Sequence, residues 1–401
     1  MNHESVAGPL AGVRVIEFGG LIAGPYAASV LAQFGAEVIK IESPGEGDPL
    51  RKWRKLHDGT SVWWYSLSRN KKSITLNLRA ERGQQIARDL VRTADIVIEN
   101  FRPGVLEGWG LGWDDLSRAN PALVMVRISG YGQTGPYKDR PGFAAIAEAM
   151  GGLRHVTGYP DRPPVRAGVS LGDSLAGIYG VVGALMAMHH VKNGGGRGQL
   201  VDVALYEAVF GVMESLLPEF SRFRHVRERS GGSLPGIAPS NTYPCTDGRY
   251  VVIAGNSDGI FKRLMHAIGR ADLADDPALA RNDGRARQER MLDEAIESWT
   301  SQRTVEEVLA ALGAADVPGG RIYTAEDIYD DPHYRARGMI ERAVMPDDQP
   351  IELPGIVPKL SETPGTTRWV GPTLGQHVED VLASIGITGA ALQQLKADGI
   401  I

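Results

Sequence analysis

Short apolar runs separated by small-residue and polar stretches set the rhythm of the first half of the chain. Residues 13–18 form an apolar run, Gly19-Gly20-Leu21-Ile22-Ala23-Gly24-Pro25 follows, a helix-like stretch continues to about residue 34, and residues 37–42 alternate. That order predicts a strand, a helix and a second strand. Residues 80–94 read as a helix and 95–99 as a strand. Residues 122–129 read as a strand after the Asn120-Pro121 breaker, and 199–204 as another after the Gly194–Gly198 stop. Strands alternating with helices imply a largely parallel sheet covered on both faces. The longest apolar run, residues 175–191, carries Gly177, Gly180 and Gly183, which suit close packing in a core. It is shorter than a bilayer requires, so no membrane span is expected.

Beyond Arg222 the pattern changes. Residues 222–240 are basic, then rich in Gly and Pro, and read as a linker. Residues 242–256 predict a hairpin turning at Asp247-Gly248. Several short helices are predicted over 259–313, a polar helix over 325–338, a turn at Asp347-Asp348 and a closing helix over 373–385 with Thr373 as its N-cap. Without a strand–helix alternation, this region predicts a second, α+β domain.

A chain of 401 residues exceeds one ordinary core and predicts two or three units. The single cysteine, Cys245, excludes an internal disulfide framework and suits a reducing compartment. The stretch from Met1 to Leu10 lacks the apolar segment of a secretory signal, so a cytoplasmic location is expected. Nine scattered histidines predict no metal site. A net charge of −5 argues against general nucleic-acid binding. Even so, Arg51, Lys52, Arg54, Lys55, Arg69, Lys71 and Lys72 make a basic stretch interleaved with Trp53, Trp63, Trp64 and Tyr65. Such a stretch suits a nucleic acid, an adenine nucleotide with several phosphates, or a solvated loop with a few packed aromatics.

Candidate chemistry concentrates in Gly168-Val169-Ser170-Leu171-Gly172-Asp173-Ser174, which opens the long apolar run. Ser170 completes the G-x-S-x-G pattern of a hydrolase elbow, although no H-G-G-G element accompanies it. Asp173 stands where free helix N–H groups would hold a carboxylate ionised. It is also read as a plain N-cap. Cys245 reads as a small packed residue rather than a nucleophile.

Several segments together resemble the class III coenzyme A transferase family. They are residues 9–17 (Pro-Leu-Ala-Gly-Val-Arg-Val-Ile-Glu), Ala23-Gly24-Pro25, residues 35–42, Asn70-Lys71-Lys72-Ser73, Glu99-Asn100-Phe101-Arg102-Pro103-Gly104, residues 130–136 and residues 194–203. The match runs in order over essentially the whole chain. It implies a Rossmann-like large domain with a parallel sheet, built from residues 1–223 and 326–401, around a smaller α+β domain at 224–325. It further implies an interlocked homodimer, acyl-CoA and a carboxylic acid as substrates, and no tightly bound cofactor.

The resemblance places the catalytic aspartate at Asp173. A carboxylate attacks the acyl-CoA thioester to give a mixed anhydride, the released thiolate returns to form an aspartyl-CoA thioester, and an incoming carboxylate reverses the sequence. By the same resemblance Leu21, Ile22 and Ala23 lie along coenzyme A. Leu76 and Arg79 lie near its adenosine, Asn100 and Phe101 near its pantetheine or pyrophosphate, and Arg140 is a nearby basic candidate. Ser43 and Gly108 stand where some members carry arginine, which shifts phosphate binding to Arg51, Arg54 or Lys71. The Gly-Gly-Gly-Gln loop of formyl-CoA transferases is absent; Gly231–Gly236 is the nearest stretch. Acyl-CoA racemases of the same family pair the aspartate with a histidine, whereas Phe143 stands here and moves no proton. Residues 233–241 resemble members that move CoA from succinyl-CoA to a dicarboxylate, with Arg154, Arg166 or Arg222 as clamps for the second carboxylate.

Overall fold

A computed structural model describes residues 8–401. The start of the chain, read above for a secretory signal, lies largely outside the described residues. The chain forms two compact units. The larger comprises residues up to Leu153, Ala167–Phe223 and Arg335–Ile401; the second comprises Arg154–Arg166 and Arg224–Tyr334. The second unit therefore draws on a short earlier segment and runs past residue 325, unlike the expected 224–325.

The larger unit opens with β1 (Arg14–Glu17), α1 (Ala23–Gln33), β2 (Glu37–Glu42), β3 (Lys71–Thr75), α2 (Glu81–Val91), β4 (Ile96–Glu99) and β5 (Val124–Ser129). It continues through α3 (Ala144–Met150), α4 (Leu171–Asn193) and β6 (Leu200–Ala204). Six strands pair in the order β3-β2-β1-β4-β5-β6, all parallel. Alternate residues of each strand point to opposite faces, so each strand feeds two cores. Ile16, Ile39, Ile74 and Val97 pack with Ile86 and Leu90 of α2 on one face. Val15, Val38, Ile98 and Val126 pack with Ala27 and Leu31 of α1 and Ala176 and Ala184 of α4 on the other.

Small residues let α4 lie close. A Cβ on Gly177 would sit 3.0 Å from the Ala23 carbonyl oxygen, and one on Gly183 would sit 2.5 Å from Val201 Cγ1. At 23 residues, α4 is longer than the apolar run and is long and apolar enough to cross a bilayer by length and composition. Its inner face nevertheless covers the sheet. Its outer face exposes Ile178, Tyr179, Val182, Leu185 and Met186, so it is not the fully buried helix that its glycines suggested.

In the second unit β7 (Ser240–Pro244) and β8 (Tyr250–Ala254) form the expected hairpin. The helices α5 (Asp258–Ala267), α6 (Glu289–Thr300) and α7 (Val305–Ala314) follow, and β9 (Gly319–Arg321) pairs antiparallel with β8. Cys245 is buried in that core, where burial raises its thiol pKa, as expected of a packed residue. The expected helix over 325–338 is two short helices, because Pro332 cannot continue the first.

The chain then returns to the larger unit as the hairpin β10 (Ile340–Val344) and β11 (Pro350–Pro354), followed by α8 (Val378–Ala383) and α9 (Gly389–Ala397). Thr373 does not cap α8: His377 holds the N-cap position, while the Thr373 backbone N–H donates to Gln376 Oε1 in a preceding turn.

Candidate active site

The strand order reverses between β1 and β4, where the loops leaving the carboxyl ends of the two strands diverge and open a crevice. A cleft of about 700 Å³ lies beside β1 at these carboxyl ends. Its walls include Gly19 and Gly20 after β1, Ser43, Pro44 and Glu46 to Pro49 after β2, Leu76 to Arg79 after β3, Phe101 and Trp109 after β4, and Gly399.

The loop Gly19-Gly20-Leu21 is held by side chains at four of its six backbone polar groups. Lys40 Nζ donates to the Gly19 carbonyl at 2.7 Å. Asn100 Oδ1 accepts from Gly20 N–H and its Nδ2 donates to the Gly20 carbonyl, both at 2.9 Å. Asp48 Oδ1 accepts from Leu21 N–H at 3.0 Å. Leu21 sits at φ +64°, a left-handed conformation that a branched side chain adopts only under constraint.

Beneath the loop lies a buried ionic cluster. Lys40 also bonds Glu17 (2.7 Å) and Asp48 (2.8 Å), while Lys71 pairs with Glu17 (2.8 Å) and donates to the Pro25 carbonyl. Burial disfavours the Lys40 ammonium, but the carboxylates of Asp48, Glu17 and Glu42 outweigh it and hold its pKa above the ordinary lysine range. Lys71 is pushed down to about 8 by burial, which Glu17 counters only in part and nearby Lys40 reinforces. Arg51 is clasped by Glu42 through Nε and Nη2, each at 2.8 Å, and its guanidinium lies 3.7 Å over the Trp64 ring. Arg54 lies over Trp63.

These contacts engage three residues that the sequence had assigned to coenzyme A. Lys71 and Arg51 are structural ions with their charges already paired, so neither is placed to take a phosphate. Both ends of the Asn100 amide bond Gly20, so Asn100 braces the loop, and it is not on the cleft wall. Of the residues expected along coenzyme A, the cleft brings together Leu76, Arg79 and Phe101. Ile22 and Ala23 are buried, Leu21 is half-buried, and none of the three is on the cleft wall. Arg140 stacks 3.6 Å over Tyr137, outside the cleft.

On the opposite wall Phe101 meets Trp109 edge to face, with ring centroids 5.5 Å apart. Glu99 ties this wall to the sheet: it accepts from the Phe101 N–H at 2.7 Å and pairs with Arg127, which also pairs with Glu107. Burial pushes Glu99 up to about 7, with Arg127 and the Phe101 N–H pulling the other way.

Asp173 occupies the third position of α4, half-buried. The cap position belongs to Ser170, and the buried Glu148 of α3 accepts from Gly172 N–H at 3.4 Å. The simple N-cap reading of Asp173 therefore fails. One turn further along α4, Gly177 packs against the Ala23 carbonyl, so the start of the Asp173 helix lies against the start of α1. Among the described residues no histidine hydrogen-bonds Ser170, which leaves the hydrolase elbow without a base. Phe143, two-thirds exposed, is the N-cap residue of α3. Arg154 and Arg166 belong to the second unit and Arg222 to the larger one. His57, Asp58 and Asp347 form the one group of metal-ligand type among the described residues, and His57 Nε2 is already 2.7 Å from Asp347.

The CoA-transferase family III model matches residues 10–378. The chain belongs to that family. It is an enzyme, a CoA-transferase. It is 48% identical, over the full length of both chains, to a succinyl-CoA–D-citramalate CoA-transferase of Chloroflexus aurantiacus. It is 42% identical, again over full length, to the beta subunit of a succinyl-CoA–L-malate CoA-transferase of the same organism. A CaiB/BaiF family protein from Brucella suis superimposes with a TM-score of 0.84 at 34% identity, covering 95% of this chain and all of that one. In this transferase the residues that sequence reasoning missed are Lys40, Asp48 and Trp109. Lys40 and Asp48 are charged residues near glycines, a pattern common in any loop. Trp109 carried a usable signal, an aromatic directly after the position where the expected arginine is replaced by Gly108.

Proposed function

We propose that this CoA-transferase takes CoA from succinyl-CoA and gives it to a four- or five-carbon dicarboxylic acid, with Asp173 as the covalent nucleophile. The carrying observation is the packing of the two helix starts. The cleft beside β1 accommodates the nucleotide end of CoA, the α1 start lies beyond its Gly19-Gly20 wall, and the α4 start with Asp173 packs on that α1 start. The long pantetheine arm can run from one to the other. The free N–H groups of the first turn of α4 favour an ionised carboxylate at Asp173. That carboxylate attacks the succinyl thioester carbon and expels the CoA thiolate. The thiolate then attacks the aspartyl carbonyl of the anhydride and releases succinate, and the acceptor carboxylate repeats the two steps in reverse. The named activities of the two Chloroflexus relatives support the donor and the acceptor class. Racemisation is disfavoured because Phe143 offers no second base.

Assembly as an interlocked homodimer is part of this proposal. Ile178, Tyr179, Val182, Leu185 and Met186 of α4, with Phe210, Val212, Leu217, Phe220 and Phe223, are large apolar residues left exposed in the single chain, which a second copy would cover. Light scattering should give twice the chain mass, and a folded monomer at high dilution would refute it.

The test of the reaction is a panel of acceptor acids offered with succinyl-CoA. Transfer to malate, citramalate or a close dicarboxylate is expected, together with an enzyme adduct that hydroxylamine releases when acceptor is withheld. Activity confined to monocarboxylates would overturn the acceptor class, and absence of an adduct would overturn the covalent route.

A further inference from the structure

Lys40 and Asp48 both line the cleft, and neither charge is available to a ligand. The Lys40 ammonium donates to Glu17 and to the Gly19 carbonyl and forms an ion pair with Asp48. Asp48 divides its oxygens: Oδ2 pairs with Lys40 at 2.8 Å, while Oδ1 accepts from Leu21 N–H at 3.0 Å and from Leu50 N–H at 2.9 Å. The result is a closed ring, from the Gly19 carbonyl through Lys40 and Asp48 back to the Leu21 amide, that encloses Gly20 and fixes the peptide leading into Leu21, the residue held at φ +64°.

We propose that Asp48 and Lys40 are positioning residues for acyl-CoA, locking Leu21 in its left-handed conformation so that the Gly19-Gly20 wall of the cleft is already in its binding shape before substrate arrives. The inference rests on the CoA-transfer reading of this cleft. Its physical content is preorganisation. A leucine released from the ring relaxes to negative φ and swings the Gly20–Leu21 peptide, and substrate must then supply the ordering itself. Asp48 is well suited to the task because it is anchored independently: its own N–H donates to Glu42 Oε2 at 2.9 Å and its carboxylate caps the turn Pro49–Lys52. Lys40 is fixed in the middle of the sheet by β2. The strain at Leu21 is thus held by groups that do not depend on a ligand.

A linked pair of substitutions separates this role from mere support. Calorimetric titration with CoA, and KM for succinyl-CoA, are measured for Asp48→Ala and Asp48→Asn, each with leucine and with Leu21→Gly, because glycine adopts positive φ without constraint. Asp48→Ala should weaken CoA binding about tenfold when Leu21 is present and less than about threefold alongside Leu21→Gly, with KM moving and kcat nearly constant. Asp48→Asn keeps an acceptor for the Leu21 amide and should recover part of the loss. Equal losses with and without Leu21→Gly, no loss at all, or disappearance of the wild-type melting transition in both Asp48 variants would each overturn the proposal. Failure of the unmodified enzyme to bind CoA would instead overturn the transfer reading.

Discussion

The wall of the cleft beside β1 and the packed face of α4 are built on opposite principles. The cleft is braced by charge: Lys40, Lys71 and Arg51 are buried against Glu17, Asp48 and Glu42, and they hold backbone in place instead of meeting solvent. The packed face of α4 is braced by the absence of side chains: Gly172 lies against Ala144 and Glu148, Gly177 against Ala23, and Gly183, near the middle, against Val201. The first region tolerates loss of a group poorly, the second addition of one. A basic stretch in an acidic protein therefore need not face an anion, and a glycine-rich helix need not be flexible.

The largest expected effect falls on α4. Asp173→Asn should lower transfer by several orders of magnitude, as loss of a covalent nucleophile does, while the melting temperature stays near that of the wild type because Ser170 holds the cap position. Ser170→Ala should keep most activity; the opposite result would restore the hydrolase reading. Next, Lys71→Ala should destabilise by about 3 kcal/mol or more in urea unfolding, since it strips a partner from the buried Glu17. Wild-type stability with weakened CoA binding would break the comparison by returning Lys71 to the ligand. Gly183→Ala should cost about 1–3 kcal/mol, because its Cβ would lie 2.5 Å from Val201 Cγ1. Trp109→Ala should raise KM for acyl-CoA by about five- to tenfold with kcat little changed, if the aromatic wall stacks the base.

The smallest effect concerns an exposed ion pair. The hydrogen bond to Asp347 raises the His57 pKa above its ordinary 6.5. The pair's contribution is complete below that ordinary value and is lost as pH rises through the raised one. An NMR titration should show the raised His57 pKa, and Asp347→Asn should return it toward 6.5.

Five of the six sheet strands were legible, most as the apolar runs that a sheet buried on both faces produces and Glu37–Glu42 by its alternation. The sixth, Lys71–Thr75, was hidden by its own lysines: Lys71 is buried only because Glu17 waits for it one strand beyond β2, a pairing that no local pattern reveals. Hairpin β10–β11 was reduced to its turn, since Asp347-Asp348 signals a reversal while Ile340–Val344 shows no clean alternation. Asp173 stood out through its place at the head of an apolar run. Arg51, Lys71 and Asn100 have the right chemistry for a ligand, and only distances show that each is also engaged by the protein itself.

The return of the chain to the larger unit has a consequence for synthesis. Trp64 Nε1 and Arg51 Nη1 both donate to the Pro372 carbonyl, Asn77 N–H donates to the Ile400 carbonyl, and Gly399 lines the cleft. A sheet whose strands leave the ribosome early waits for Pro372 and Ile400, made much later, with one face only partly covered in the interval. Closure across such separations is slow. During translation this half-finished sheet is the stage most exposed to misassociation, and a chaperone acting before residue 370 emerges should raise the yield of active enzyme more than one added after release.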